Sequence, residues 1–125
     1  MKAIVLALAC VLVCTTPVAA QTTMTLDAFV TQANGIPLNP LAAIRPDARR
    51  LVGVANRAFS TVNSENRAAR AAGRQPAACP PERIEVSPRQ LLAFLNAIPQ
   101  ARRARMTPTD GIREWMADRY PCPAS

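Results

Sequence analysis

Ser87-Pro88-Arg89-Gln90-Leu91-Leu92-Ala93-Phe94-Leu95-Asn96-Ala97-Ile98-Pro99 is the stretch that decides the fold. A hydroxyl at the cap, proline at the first helical position and glutamine at the third make a capping-box start, because each satisfies or avoids one of the unpaired N–H groups of a helix end. Leu91, Leu92, Phe94, Leu95 and Ile98 then recur at three-and-four spacing, and Pro99 ends the run. The reading is a helix over 88–98. Downstream, Thr107-Pro108-Thr109-Asp110 opens a second helix in the same way, with Ile112, Trp115 and Met116 on its inward side and Tyr120 at its end. The spacing predicts that helix over 108–119, and Phe94 and Trp115 are read as core anchors.

Upstream the same logic gives two more helices. Thr25 caps a helix predicted over 25–34, whose inward residues are Leu26, Phe29, Val30 and Ala33, and Gly35 stops it. Three prolines between Ile36 and Pro46 make a loop, with one turn after Asn39-Pro40 built on Leu41 and Ile44. Pro46 and Asp47 open a long helix over 46–72 along Leu51, Val52, Ala55, Phe59 and Val62, with an exposed tail beyond Val62 and a stop at Gly73 and Pro76. No segment alternates apolar and polar residues over a strand's length. The expectation is therefore an all-α, four-helix domain.

Residues 1–20 stand apart. Met1-Lys2, the apolar run Ile4 to Val13 and the small residues Val18-Ala19-Ala20 have the form of a secretory signal peptide, which leaves a single exported domain over 21–125. That run is far short of the roughly 20 residues that span a bilayer, so no transmembrane anchor is expected. Losing Lys2 takes the basic count from 15 to 14 against 8 acidic residues, so the mature charge is +6 and every remaining cation is Arg. Cys10 and Cys14 leave with the leader. In an oxidising compartment the remaining Cys79 and Cys122 are expected to form one bridge. One lies just before the third helix and the other just after the fourth, so the bridge would clamp the open end of a helical hairpin.

The chain contains no His, which excludes Ser-His-Asp and Cys-His chemistry and imidazole metal sites. Four Gly leave no material for a phosphate-cradling loop, and neither cofactor nor metal is expected. The acidic groups Glu82 with Glu85, and Asp110, Glu114 and Asp118 along one helix face, read as solvated charges pairing with Arg113 and Arg119 rather than as facing catalytic carboxylates. The cationic run Arg102, Arg103 and Arg105 reads either as a solvated turn or as a partner-binding surface for an acidic protein. Nucleic acid is not expected, since no aromatic residues interleave with these arginines to stack bases.

Cys79-Pro80-Pro81, the helix from Ser87-Pro88-Arg89-Gln90 to Pro99, and the ending Arg119-Tyr120-Pro121-Cys122 together resemble the Tai/Rap-type immunity-protein domain of small periplasmic proteins. The resemblance covers about 79–122, with a fainter match at Leu51-Val52-Gly53-Val54. It implies an all-helical periplasmic domain, often a homodimer, whose members block peptidoglycan amidase effectors of type VI secretion. Members commonly carry a further cysteine near the upstream helix, and Leu51 to Val62 has none. On this reading the chain is a non-enzymatic immunity protein whose Arg102–Arg105 loop or a helix end enters a hydrolase cleft. A cationic structural or chaperone-like envelope protein that binds acidic clients is the alternative.

Overall fold

The computed structural model describes residues 24–124. The signal segment expected over 1–20 and the start at Gln21 lie outside the described residues. Within them the architecture is all-α: α1 spans Leu26–Asn34, α2 Pro46–Ala71, α3 Pro88–Ala97, α4 Gln100–Arg103 and α5 Pro108–Arg119, with a 3-10 turn at Pro40–Ile44. No strand occurs among the described residues.

Local chemistry sets these boundaries. Thr25, Asn39, Ser87 and Thr107 each accept a hydrogen bond from the backbone N–H three residues on, and prolines 40, 46, 88 and 108 occupy first-turn positions where an N–H would be unpaired anyway. At α5 the capping box is complete: Asp110 N–H donates to Thr107 Oγ1 at 3.1 Å, and Thr107 N–H donates to Asp110 Oδ2 at 2.9 Å. At α3 only the Ser87 arm is present, 3.4 Å from the Gln90 N–H. Gly73, at φ 71°, lets α2 end in a left-handed turn, where Gly73 N–H reaches Arg70 O and Arg74 N–H reaches Ala69 O.

The core gathers Leu26, Val30, Val62, Leu95, Ile112 and Met116, all of which are fully buried. The most extensive packing is α2 on α5, where Trp115 meets Phe59 edge-on at 5.7 Å and Tyr120 at 6.1 Å. α1 and α3 are joined by a reciprocal amide pair, Asn34 with Asn96, at 2.9 and 3.0 Å. Gly111 sits where α5 comes closest to its neighbours: a Cβ there would lie 2.9 Å from Leu26 and 3.0 Å from Leu95.

The bridge joins Cys79 to Cys122 with their Cα atoms 4.8 Å apart, and Cys79 N–H donates to Tyr120 O at 2.9 Å. It clamps the open end of the α3–α5 hairpin, as the helix limits imply. Three expectations need correction. The helix count is five, because Gln100–Arg103 is one short helix, α4, hung from Pro99. The tail of α2 is not an exposed extension: Asn66 and Ala69 are buried, and Glu65 is tied to α5 through Arg113. Phe94 is only half-buried, and Leu95 beside it takes the fully buried position.

Candidate functional site

The cationic run expected to meet a partner is placed around α4, and its three members have different fates. Arg103 is an internal strut. Its side chain is 14% exposed, Nε lies 3.2 Å from Asp27 Oδ1 in the first turn of α1, and Nη1 donates to Asn96 O and Ile98 O at the end of α3. One guanidinium thus neutralises a carboxylate and satisfies carbonyls that a helix end leaves without partners. Arg102 is 52% exposed and pairs with Glu114 of α5 at 2.5 Å. Arg105 is exposed, bonds only to Ala101 O at 3.3 Å and has no acidic partner among the described residues. The run is therefore not one free basic surface.

Asp27, Asp47, Glu65, Asp110 and Glu114 are paired with arginines, whereas Glu82, Glu85 and Asp118 have no ion pair among the described residues. Arg113 bridges Glu65, at 3.0 Å to both carboxylate oxygens, and Asp110, at 2.8 Å. Glu65 raises the Arg113 pKa further above its ordinary value. The Thr107 N–H, with Arg113 adding to it, holds the Asp110 carboxyl below the usual carboxylate range. Arg45 does the same for Asp47. The expected pairing with Arg113 is present at Asp110, whereas Glu114 pairs with Arg102 and Arg119 has no ion pair among the described residues. No group of three or more Cys, Asp or Glu side chains that could hold a metal occurs among the described residues.

A different feature dominates the surface. An open groove of about 890 Å³ runs between α1, the following loop, the first half of α2 and the start of α3. Phe29, Leu51 and Leu91 form its floor, Leu38 and Val52 stand on its walls, and the 3-10 turn beside it carries Leu41 and Ile44. These side chains are unusually exposed for their type: Leu41 is 72%, Ile44 68% and Val52 57% accessible. Among the described residues, the only charged ones lining the groove are Arg49 and Arg89. Leu41 and Ile44 do not anchor the 3-10 turn as the sequence suggests; the turn rests on α2, where Arg49 Nε donates to Ala43 O, while Leu41 and Ile44 stay exposed. The signal present in the sequence is an apolar surplus. Leu51 and Val52 are adjacent on a helix, so they project about 100° apart and one of them leaves the buried stripe.

No family model, curated protein or solved structure matches the chain.

Proposed function

We propose that the chain is an exported, non-enzymatic binding protein that docks a protein partner on the apolar groove, and that this partner is a peptidoglycan amidase whose active-site cleft it occludes. The groove carries the reading. An exposed apolar surface bordered by Leu38 and Val52, with Leu41 and Ile44 exposed on the adjoining turn, costs solubility unless something covers it. The amidase as target, and the periplasm as location, come from the resemblance of residues 79–122. The absence of His and the bridging of both mature cysteines support a non-catalytic role. No helix among the described residues is long and apolar enough to cross a membrane.

The cationic envelope protein is the second reading, favoured by Arg57, Arg67, Arg70 and Arg74 along α2 and just beyond it, which are exposed and have no ion pair among the described residues. Calorimetric titration of the mature chain against purified type VI amidases, with hydrolysis of peptidoglycan followed in parallel, separates the two. One amidase bound tightly and inhibited at a 1:1 ratio is the expected result. Weak binding to many acidic proteins, abolished by moderate salt, establishes the second reading instead.

A further inference from the structure

We infer that the segment received by the groove is an acidic amphipathic one: a row of apolar side chains flanked by carboxylates that reach Arg49 and Arg89. This rests on the reading of the groove as a protein-docking face and adds the chemistry of what docks there.

The argument starts from charge. Among the described residues, every side chain lining the groove is apolar or neutral except two, both are arginines, and no Asp or Glu is among them. Among the described residues Arg49 uses only Nε, donating to Ala43 O at 3.2 Å, which leaves both of its terminal nitrogens for a ligand. Arg89 makes no hydrogen bond or ion pair among the described residues.

The position of Arg89 adds a second, independent point. It lies in the first turn of α3, where the helix dipole presents its positive end and where an acidic residue would be favoured. α3 has no acidic residue in that turn, so the cation stands uncompensated. At α1, α2 and α5 the corresponding turn carries Asp27, Asp47 and Asp110. Ser87 already accepts the Gln90 N–H and Pro88 has none, so a carboxylate arriving from outside would meet chiefly the Arg89 guanidinium, whose planar fork suits bidentate recognition.

The shape of the groove favours a polypeptide over a single acyl chain. It is open along its length, and Leu38 and Val52 rise beside it instead of closing over it. A lone acyl chain on the floor would leave those side chains wet. A helix or loop laid along the groove covers floor and rims at once, with anchors at three-and-four spacing.

The test uses the mature, disulfide-intact protein and fluorescein-labelled synthetic peptides of about 18 residues, long enough for five helical turns. One peptide carries Leu along one face with Glu on both flanks; the second has Lys in place of every Glu; the third has Gln there. The Glu peptide is expected to bind at least tenfold more tightly than the Lys peptide at low salt, with the difference shrinking as salt rises. Arg49→Gln and Arg89→Gln should each weaken the Glu peptide about three- to tenfold, whereas Arg67→Gln, outside the groove, leaves it unchanged. Circular dichroism of each variant verifies that the helices are intact.

Equal binding of the Glu, Gln and Lys peptides overturns the charge selection while leaving the groove as an apolar docking face. Binding to phosphatidylglycerol vesicles with none of the peptides bound overturns the inference in favour of a lipid surface. Failure of all probes also overturns it, and the amidase titration tests the proposed function separately.

Discussion

Replacing Arg103 by Ala should destabilise the domain far more than replacing either neighbour in the same cationic run. The side chain is 14% exposed, its Asp27 partner is 25% exposed, and three hydrogen bonds converge on one guanidinium. Hydrogen bonds to a charged group contribute about 1.5–3 kcal/mol each when buried, and those here are only partly so. Deletion also strands the Asp27 carboxylate and two carbonyls at the end of α3. We expect a loss of about 2–4 kcal/mol for Arg103→Ala, against at most about 1 kcal/mol for Arg102→Ala and under about 0.5 kcal/mol for Arg105→Ala. With a urea m-value of about 2 kcal/mol/M, the Arg103 variant should unfold at roughly 1–2 M less urea. Asp27→Asn completes a double-mutant cycle, and the pair should show a coupling of about 1 kcal/mol or more. Equal midpoints for the three arginine variants would refute the assignment of Arg103 as the strut between α1 and α3. The consequence reaches function: a variant lacking all three arginines loses stability, so weakened partner binding by it does not identify an interface.

Two glycine substitutions should act in opposite directions. Gly53→Ala gains helix propensity with its nearest outside atom, Arg57 Nη1, at 3.5 Å, so chemical denaturation should show about 0.5–1 kcal/mol of added stability. Gly111→Ala drives a methyl to 2.9 Å from Leu26 and 3.0 Å from Leu95, both fully buried with nowhere to retreat; the overpacking outweighs propensity and leaves a net loss of about 1–2 kcal/mol. Reducing Cys79–Cys122 frees a loop with a sequence separation of 43, worth about 4 kcal/mol in the chain-entropy account. Thermal melts should therefore fall by roughly 15–30 °C in reductant, and a shift under about 5 °C contradicts this. Asp110 has a depressed carboxyl pKa, so its contribution is present above the unfolded value near 3.9 and is lost as pH falls through the lower folded value. Melting temperature should drop below about pH 4, and Asp110→Asn should lose part of that drop while melting lower at neutral pH.

The helices are legible in the sequence because their ends are chemically explicit. Thr25, Pro46, Ser87-Pro88 and Thr107-Pro108 mark starts by satisfying or lacking the N–H groups that a helix leaves unpaired, and the observed boundaries follow them. The bridge is legible once the leader is set aside, since only two cysteines remain and both flank predicted helices. The extent of α2 is legible too, but the burial of its second half beyond Val62 is not. Its inward residues there are Asn66 and Ala69, small or polar, and their burial comes from α5 packing alongside rather than from hydrophobicity of their own. The fate of the arginine run is hidden for a similar reason. Arg102, Arg103 and Arg105 look alike in sequence, and only the placement of Asp27, 76 residues from Arg103, sets one of them apart. The groove is marked in the sequence only by the apolar surplus at Leu51-Val52, because apolar residues are assigned inward by default, whereas Leu41, Ile44 and Val52 face outward.

The most direct test of the groove as the docking face is the affinity of a Leu38→Asp/Val52→Asp variant for the amidase bound by the parent, measured by calorimetry beside its melting temperature. Both residues line the groove and are about half exposed, so folding should change by no more than about 0.5 kcal/mol per site. The account predicts that binding weakens at least 100-fold and inhibition disappears, because two carboxylates would then be buried against the partner without compensation. A variant that binds and inhibits as the parent does would contradict the account and remove the groove from the interface.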